Sequence, residues 1–295
     1  MKRIAILHAS PKPTWTSMTL IKAFSRLGAE VHYVLWEEFS LNVRSGCTAS
    51  YRGRCGHFDA ILVRGLGRGL TPEQLLHRFN ILKGLEHDGV LVVNPAEPLF
   101  TARNKPLSLM KLASCGIKVP ETTVTENPGT ALRAVKSYGK AVIKPLMGSL
   151  GLGSYMVENE DEAYYVVNLL LEFKQPILVQ KYLEKRNNRD IRVFTIDGET
   201  VAAIYRYSAS SWKTNIARGA KAVKAGLSEE QRRLAVEAAN CLGLLYAGVD
   251  LLETPDGEHY VLEVNASPLW RGLQNATGVD VAAAIARMVL EKVRS

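Results

Sequence analysis

A chain of 295 residues, 47% of them hydrophobic, can bury a large core and is too long for one simple domain other than a barrel, so two or three lobes are expected. No apolar run approaches about 18 residues, which speaks against a membrane-spanning helix. The formal net charge of +8 calls for an anionic partner, but the basic residues are scattered, which suits a cleft for phosphates and carboxylates better than a nucleic-acid tail.

The first hundred residues alternate strand and helix signals. Lys2–His8 reads as a strand, with too short an apolar run and no cleavage site for a leader, so a cytoplasmic location is expected. Ser17 is placed as the cap of a helix that stops at Gly28. Val31–Leu35 and Ala60–Val63 are strands, and between them segment 42–57 is long, basic and without a structural signal. Thr71-Pro72-Glu73-Gln74 is a capping box with proline at the first helical position, opening a helix to about His87. Val90–Asn94 closes a βαβ rhythm, the mark of a small parallel sheet. A second lobe follows over 101–183, with a helix at 104–115, strands at 122–124, 141–145, 154–157 and 177–181, and helices at 128–138 and 160–172. The last lobe, 184–295, holds a hairpin of Asp190–Ile196 and Glu199–Tyr207, a helix opened by Ser228, a hairpin of 247–253 and 258–265, and an amphipathic helix after Asp280. The class is α/β, built as α+β lobes behind an N-terminal parallel sheet.

Four cysteines form no C-x-x-C pair, which argues against zinc. Cys115 and Cys241 sit in helical, apolar contexts and are expected as core thiols. Cys47 and Cys55 share one loop, which allows a disulfide, although reduced thiols are the default in a cytosol.

The chemistry concentrates in a few places. Ala141-Val142-Ile143-Lys144-Pro145 is a buried strand that ends in a lysine, and Gly148, Ser149, Gly151 and Gly153 follow in a loop. Glycines let backbone N–H groups approach phosphate oxygens, and the lysine adds a point charge. The loop joins two strands, so neither a P-loop nor a dinucleotide fingerprint fits; the bland alternative is a hairpin loop. If Asp256-Gly257 is a two-residue turn, Asp250 stands opposite Glu263, with Asn265 on the same face. Two facing carboxylates among Leu, Val and Ala call for a hard cation. Val179-Gln180-Lys181-Tyr182-Leu183 ends a strand between lobes, a place where backbone and apolar groups can hold an adenine. Asp190 and Arg192 share a face, and Arg206, Lys213, Asn215 and Arg218 add donors that can clamp a transferring phosphoryl group.

In order, Asn104-Lys105, Val142-Ile143-Lys144-Pro145 with its glycine loop, Val179-Gln180-Lys181-Tyr182, Asp190-Ile191-Arg192-Val193, Lys213-Thr214-Asn215 with Arg218-Gly219, Ala247-Gly248-Val249-Asp250, Glu263-Val264-Asn265-Ala266-Ser267-Pro268 and Thr277-Gly278-Val279-Asp280 resemble the ATP-grasp superfamily, and within it the RimK-type glutamate ligases. The resemblance covers most of the chain and implies an ATP-grasp fold preceded by a parallel-sheet pre-ATP-grasp domain. It implies that Lys105, Lys144 and the glycine loop contact ATP phosphates, that Gln180, Lys181, Tyr182 and Leu183 line the adenine, that Asp190 lies near the ribose, and that Lys213, Thr214 and Asn215 lie near the phosphates. Asp250, Glu263 and Asn265 would hold Mg²⁺, for which Mn²⁺ could substitute. Arg192, Asn215 and Arg218 are the expected catalytic residues, and Arg206 and Arg271 the expected substrate residues. The sequence departs from the family at Leu150 and Leu152, where charged residues are common, and at Lys213, where arginine is frequent.

The implied reaction is ATP-dependent activation of an acceptor carboxylate as an acyl phosphate, followed by attack of the amine of L-glutamate. Trp270-Arg271-Gly272-Leu273-Gln274 and Trp212-Lys213-Thr214-Asn215 look most like archaeal ligases that act on tetrahydromethanopterin or a polyglutamyl deazaflavin, both anionic acceptors. The rivals are a LysX-like ligase acting on a carrier-bound amino acid, a RimK-like modifier of a ribosomal protein, and a non-catalytic RNA-binding module. No nucleic-acid or membrane partner is expected, and self-association is expected for a ligase of this size. Arg44, Arg52 and Arg54, together with Arg271, are expected to grip the acceptor.

Overall fold

The structure is a computed structural model that describes residues 1–43, 46–67, 69–146, 153–208, 212, 214 and 220–294. In chain order the N-terminal part contains β1 (Arg3–His8), α1 (Trp15–Arg26), β2 (Glu30–Leu35), β3 (Phe39–Leu41), β4 (Ala49–Tyr51), β5 (Ala60–Val63), α2 (Pro72–His87) and β6 (Leu91–Val93). The middle contains α3 (Ala96–Arg103), α4 (Lys105–Ser114), β7 (Thr122–Thr125), α5 (Pro128–Tyr138), β8 (Ala141–Pro145), β9 (Tyr155–Val157), α6 (Glu160–Glu172) and β10 (Ile177–Lys181). The C-terminal part contains β11 (Arg189–Ile196), β12 (Glu199–Tyr207), β13 (Lys221–Lys224), α7 (Glu229–Cys241), β14 (Tyr246–Glu253), β15 (His259–Asn265), α8 (Arg271–Thr277) and α9 (Val281–Arg294).

The N-terminal sheet is parallel, in the order β2-β1-β5-β6. Its central strands β1 and β5 are buried on both faces, and alternate residues feed different cores. Ala5, Leu7, Ile61 and Val63 join a cluster that includes Ile191, Val193, Ala247 and Val249. Ile4, Ile6, Ala60 and Leu62 join another that includes Phe194, Tyr246, Trp270 and Ile285. The first and last thirds of the chain therefore share their cores and form one platform. The central lobe is separate in packing: its antiparallel sheet, β7-β10-β8-β9, buries Ala141, Ile143, Ile177 and Val179 against α5 and α6 in a cluster of its own.

The structure corrects three local expectations. The cap of α1 is Thr14, which accepts from Ser17 N; Ser17 lies one turn inside and is buried. Segment 42–57 is not structureless. Phe39–Leu41 and Ala49–Tyr51 pair antiparallel, Cys47 and Cys55 form a disulfide, and Asp88 at the C-cap of α2 accepts from the N–H groups of Thr48 and Ala49 at 2.8–3.0 Å. Cys115 and Cys241 are not core thiols: Cys115 is exposed at the C-cap of α4, and it is bonded to Cys241 at the end of α7.

The platform is welded by polar side chains as well as by its cores. Asn94, fully buried just after β6, donates to Tyr246 O and Ala266 O at 2.8 and 2.7 Å and accepts from Leu245 N at 2.7 Å. Arg64, just after β5, donates to the Tyr246 hydroxyl at 2.9 Å and to Pro268 O at 2.8 Å, and its guanidinium lies over the Trp270 ring. These contacts fix the carboxyl edge of the parallel sheet against the C-terminal sheet.

Candidate active site

The five-stranded C-terminal sheet, β13-β12-β11-β14-β15, carries a row of charge on one face. Arg192 and Asp250 are direct partners across β11 and β14, and Asp190 and Arg206 across β11 and β12. Arg192 forks onto Asp250, with Nη2 2.7 Å from Oδ2 and Nε on Oδ1. Arg206 forks onto Asp190 at 2.6 and 2.8 Å and reaches Asp250 Oδ1 at 3.0 Å. Burial alone would raise the Asp250 pKa, but Arg192 and Arg206 outweigh it and hold the carboxyl below its ordinary value. Arg206 is buried and shared by two carboxylates, so it serves as a structural clamp rather than the substrate-facing group expected.

The pairing of Asp250 with Glu263 is the expected one, reached by a different route. The turn is wider than two residues: Thr254 N donates to Glu258 O, and Glu253 faces His259. A bulge between Asp250 and Leu251 cancels the offset and returns Glu263 to its place opposite Asp250. Asn265 pairs with Gly248, and its Nδ2 lies 3.4 Å from Gly248 O. Position 248 must be glycine, because a Cβ would come within 2.8 Å of Pro268 Cβ and 3.0 Å of Arg192 Nη1.

Two further ammonium groups feel the charge of Glu263. Lys144, on β8, donates to Gln180 Oε1 at 2.5 Å, and Gln180 in turn donates to Thr122 Oγ1 at 3.0 Å. Burial pushes the Lys144 pKa down to about 8; Glu263 opposes the shift, and Lys105 and Lys185 add to it. Lys105, the first residue of α4, donates to Leu146 O at 3.2 Å. Its pKa is lowered by burial and by Arg103, against the pull of Glu263. Ammonium groups desolvated in this way gain free energy when an anion binds beside them.

Asp250, Glu263 and Asn265 offer two carboxylates and an amide oxygen, a hard donor set that suits Mg²⁺. Among the described residues no three His, Cys, Asp or Glu side chains gather into a metal-binding group. The compensation expected from a cation is supplied to Asp250 here by Arg192 and Arg206.

The linker from the central lobe behaves unevenly. The side chain of Lys181 turns to Glu121 at 2.7 Å, and its backbone N–H donates to Glu121 O at 2.8 Å. Tyr182 lies under Lys140 Nζ and edge-on to Trp212, and Leu183 is half-buried. Thr214 is buried and donates to Asp190 Oδ2. Asp190 has both oxygens engaged, by Arg206 and Thr214. Gly153 has φ +72° and lies against Pro145. Gly148, Ser149, Gly151, Lys213, Asn215 and Arg218, with Leu150 and Leu152, lie outside the described residues.

Arg271 opens α8 and is exposed, its guanidinium 5.7 Å from the Trp15 ring, near the carboxyl edge of the N-terminal sheet. The loop expected to join it does not. Its Thr48 and Ala49 are tied to Asp88, just before β6 begins, at the opposite edge of that sheet. Arg52 is paired with Glu38, and Arg44 lies outside the described residues. Sequence reasoning missed Arg64, Asn94 and Lys185. A charged residue directly after the fully apolar strand Ala60–Val63 was the available signal for Arg64; Lys185 had none beyond its place between two strands.

Comparisons with known proteins agree with this architecture. A family model described as a RimK-like ATP-grasp domain matches residues 102–289. The tetrahydromethanopterin:alpha-L-glutamate ligase of Methanocaldococcus jannaschii is 35% identical over 250 residues, 83% of this chain and 84% of that protein. A probable alpha-L-glutamate ligase of Shewanella amazonensis is 33% identical, covering 96% of this chain and 93% of that protein. Among solved structures, the ATP-grasp ligase PsnB, complexed with a phosphomimetic variant of its minimal precursor, Mg and ADP, superposes with a TM-score of 0.77 at 20% identity over 98% of both chains, a likeness of fold. With the family model spanning most of its length, the chain belongs to the RimK-like ATP-grasp family and is an ATP-grasp ligase.

Proposed function

We propose that this ligase uses ATP and Mg²⁺ to join L-glutamate to an anionic acceptor carboxylate, with tetrahydromethanopterin as the first candidate acceptor and a polyglutamyl deazaflavin as the second. The observation that carries the reading is the row Asp190, Arg206, Asp250 and Arg192 on one sheet face, with Glu263 paired opposite Asp250. The names of the relatives at 35% and 33% identity support glutamate as the amine.

In this reading Lys105 and Lys144 bind the ATP phosphates, and the linker from Gln180 to Leu183 holds the base. Asp250, Glu263 and Asn265 would hold Mg²⁺, which when bound supplies charge that screens the phosphate oxygens. The acceptor carboxylate oxygen attacks the γ-phosphorus, the bond to the β-phosphate oxygen breaks, and an acyl phosphate and ADP result. The glutamate amine then attacks the acyl carbon; phosphate leaves, and the amine gives up a proton as the amide forms. Arg192 keeps Asp250 ionised and oriented. The β1/β5 switch point of the parallel sheet, where Arg64 leaves β5, with Trp15 and Arg271 nearby, suits an acceptor that is both ring-bearing and anionic.

The test is an incubation with Mg-ATP, L-glutamate and each acceptor, read by ADP release and by the mass of the acceptor. ADP release that requires both glutamate and acceptor, with a gain of one or more glutamyl residues, is the expected result. Absence of any glutamate-dependent product across both acceptors would overturn this assignment of substrates.

A further inference from the structure

Lys185 lies in the linker between β10 and β11, and its ammonium is not in open water. Nζ donates to Trp212 O at 2.8 Å and to Thr214 Oγ1 at 3.0 Å. Two of its three N–H groups are thus committed to the segment beyond β12. The Thr214 hydroxyl accepts from Lys185 and can donate one hydrogen, which goes to Asp190 Oδ2. Asp190 Oδ1 accepts from Arg206 Nε at 2.6 Å, and Arg206 Nη2 lies 3.0 Å from Asp250 Oδ1. Each link fixes the direction of the next. An ammonium has no lone pair, so it forces the Thr214 rotor to point its hydrogen away, toward Asp190.

The chain Lys185, Thr214, Asp190, Arg206, Asp250 therefore runs without a break from the linker between lobes to the candidate metal carboxylate. All but Lys185 are strand residues of the C-terminal sheet or are packed on it, and Thr214, Asp190, Arg206 and Asp250 are buried. A solvated linker lysine would not hold two partners inside such a site.

We infer that Lys185 is a positioning residue: through Thr214 it sets the orientation of Asp190 and Arg206, and so of Asp250, relative to the nucleotide linker. The inference rests on the ligase reading above. Removing the ammonium frees the Thr214 rotor, Asp190 loses a fixed donor, and Arg206 is no longer held between two carboxylates in one geometry. Outer partners of metal ligands commonly change metal affinity or activity by about 10–100-fold.

The experiment compares wild type, Lys185→Met, Lys185→Arg, Thr214→Val and the double variant Lys185→Met/Thr214→Val. Calorimetry measures Mg-ADP binding, electron paramagnetic resonance measures Mn²⁺ binding in the presence of ADP, and steady-state assays give kcat and KM. Expected for Lys185→Met is Mn²⁺ affinity and kcat each lower by about tenfold or more, KM for ATP within about threefold, and partial recovery in Lys185→Arg. The double variant should be no worse than the poorer single variant, because both act through one hydroxyl. Additive losses, or wild-type Mn²⁺ affinity in Lys185→Met, would overturn the positioning role even if Lys185→Met alone were poorly folded, since Thr214→Val and Lys185→Arg carry the same comparison. Wild type that binds no Mg-ADP would instead overturn the ligase reading, and the inference with it.

Discussion

The central lobe and the platform solve the same problem differently. The central lobe buries a cluster of small and branched residues, among them Ala131, Val135, Ile143, Val167 and Val179, under two helices, and its other sheet face carries Lys144 and Gln180 beside Val142 and Leu178. The platform buries its apolar residues in two clusters that each draw on both ends of the chain, and it places a buried row of charge on the sheet between them. A lobe with its own core can change its angle to a neighbour at little cost in packing. A platform with shared cores cannot. The difference leaves the lobe that carries Lys144 freer to shift than the platform that carries the carboxylates.

The largest test of that contrast is Asp250→Ala. It removes a candidate metal ligand and leaves Arg192 and Arg206 buried without their shared anion. We expect loss of detectable turnover together with destabilisation of roughly 3–5 kcal/mol, as for other broken buried ion pairs. Glu263→Ala should abolish turnover with a far smaller change in Tm, because among the described residues no guanidinium forks onto Glu263. Equal Tm losses in the two variants would erase the distinction between a buried clamp and an open ligand.

On the central lobe the expected pattern reverses. Lys144→Met removes a desolvated ammonium, so the Tm should hold or rise while ATP affinity falls by about tenfold to a hundredfold; the loss of a charge-assisted contact of roughly 1.5–3 kcal/mol sets that scale. The pH dependence gives a smaller and sharper version. With its pKa near 8, Lys144 is mostly charged at pH 7 and mostly neutral at pH 9 in the free enzyme. Phosphate binds the charged form, so binding above pH 8 must take up a proton. ATP affinity should fall by about tenfold between pH 7 and pH 9, and that slope should vanish in Lys144→Met. Calorimetry in two buffers of different ionisation heat would reveal the proton.

The smallest effects are expected at the acceptor end. Arg271→Ala should raise the acceptor KM by about tenfold, with the KM for ATP unchanged, as loss of one exposed charged contact. Arg52→Ala and Arg54→Ala should leave both constants near wild type, because Arg52 is engaged by Glu38 and their loop is anchored at the far edge of the N-terminal sheet. A shift in acceptor KM from the loop variants and none from Arg271→Ala would invert this placement.

Much of this was legible in the residues themselves. The alternation of Ile4, Ala5, Ile6 and Leu7 between two cores follows from a strand buried on both faces, and the facing of Asp250 and Glu263 follows from a hairpin turn. What the sequence could not show is that the turn is wider than Asp256-Gly257 suggests and that a bulge at Leu251 corrects it; two local irregularities cancel only in three dimensions. The Lys185 chain was hidden because each of its links joins a different strand or loop. Arg206 was misjudged for a related reason: an arginine on a strand looks the same in sequence whether its partner is a substrate or Asp190.

The bond between Cys115 and Cys241 spans 126 positions of sequence, and the whole central lobe lies inside that span. Closing a loop of that length removes about 5 kcal/mol of disorder from the unfolded chain in the chain-entropy treatment. Both cysteines belong to helices of the platform, at the ends of α4 and α7, so the bond closes a ring of chain that contains the central lobe without touching that lobe's core. Oxidant supply thereby becomes a determinant of how long the protein survives heating. A thiol reductant should lower the Tm by roughly ten degrees at most and leave ATP affinity at 25 °C where it was. Such a molecule would be long-lived where thiols are oxidised and short-lived where they are kept reduced.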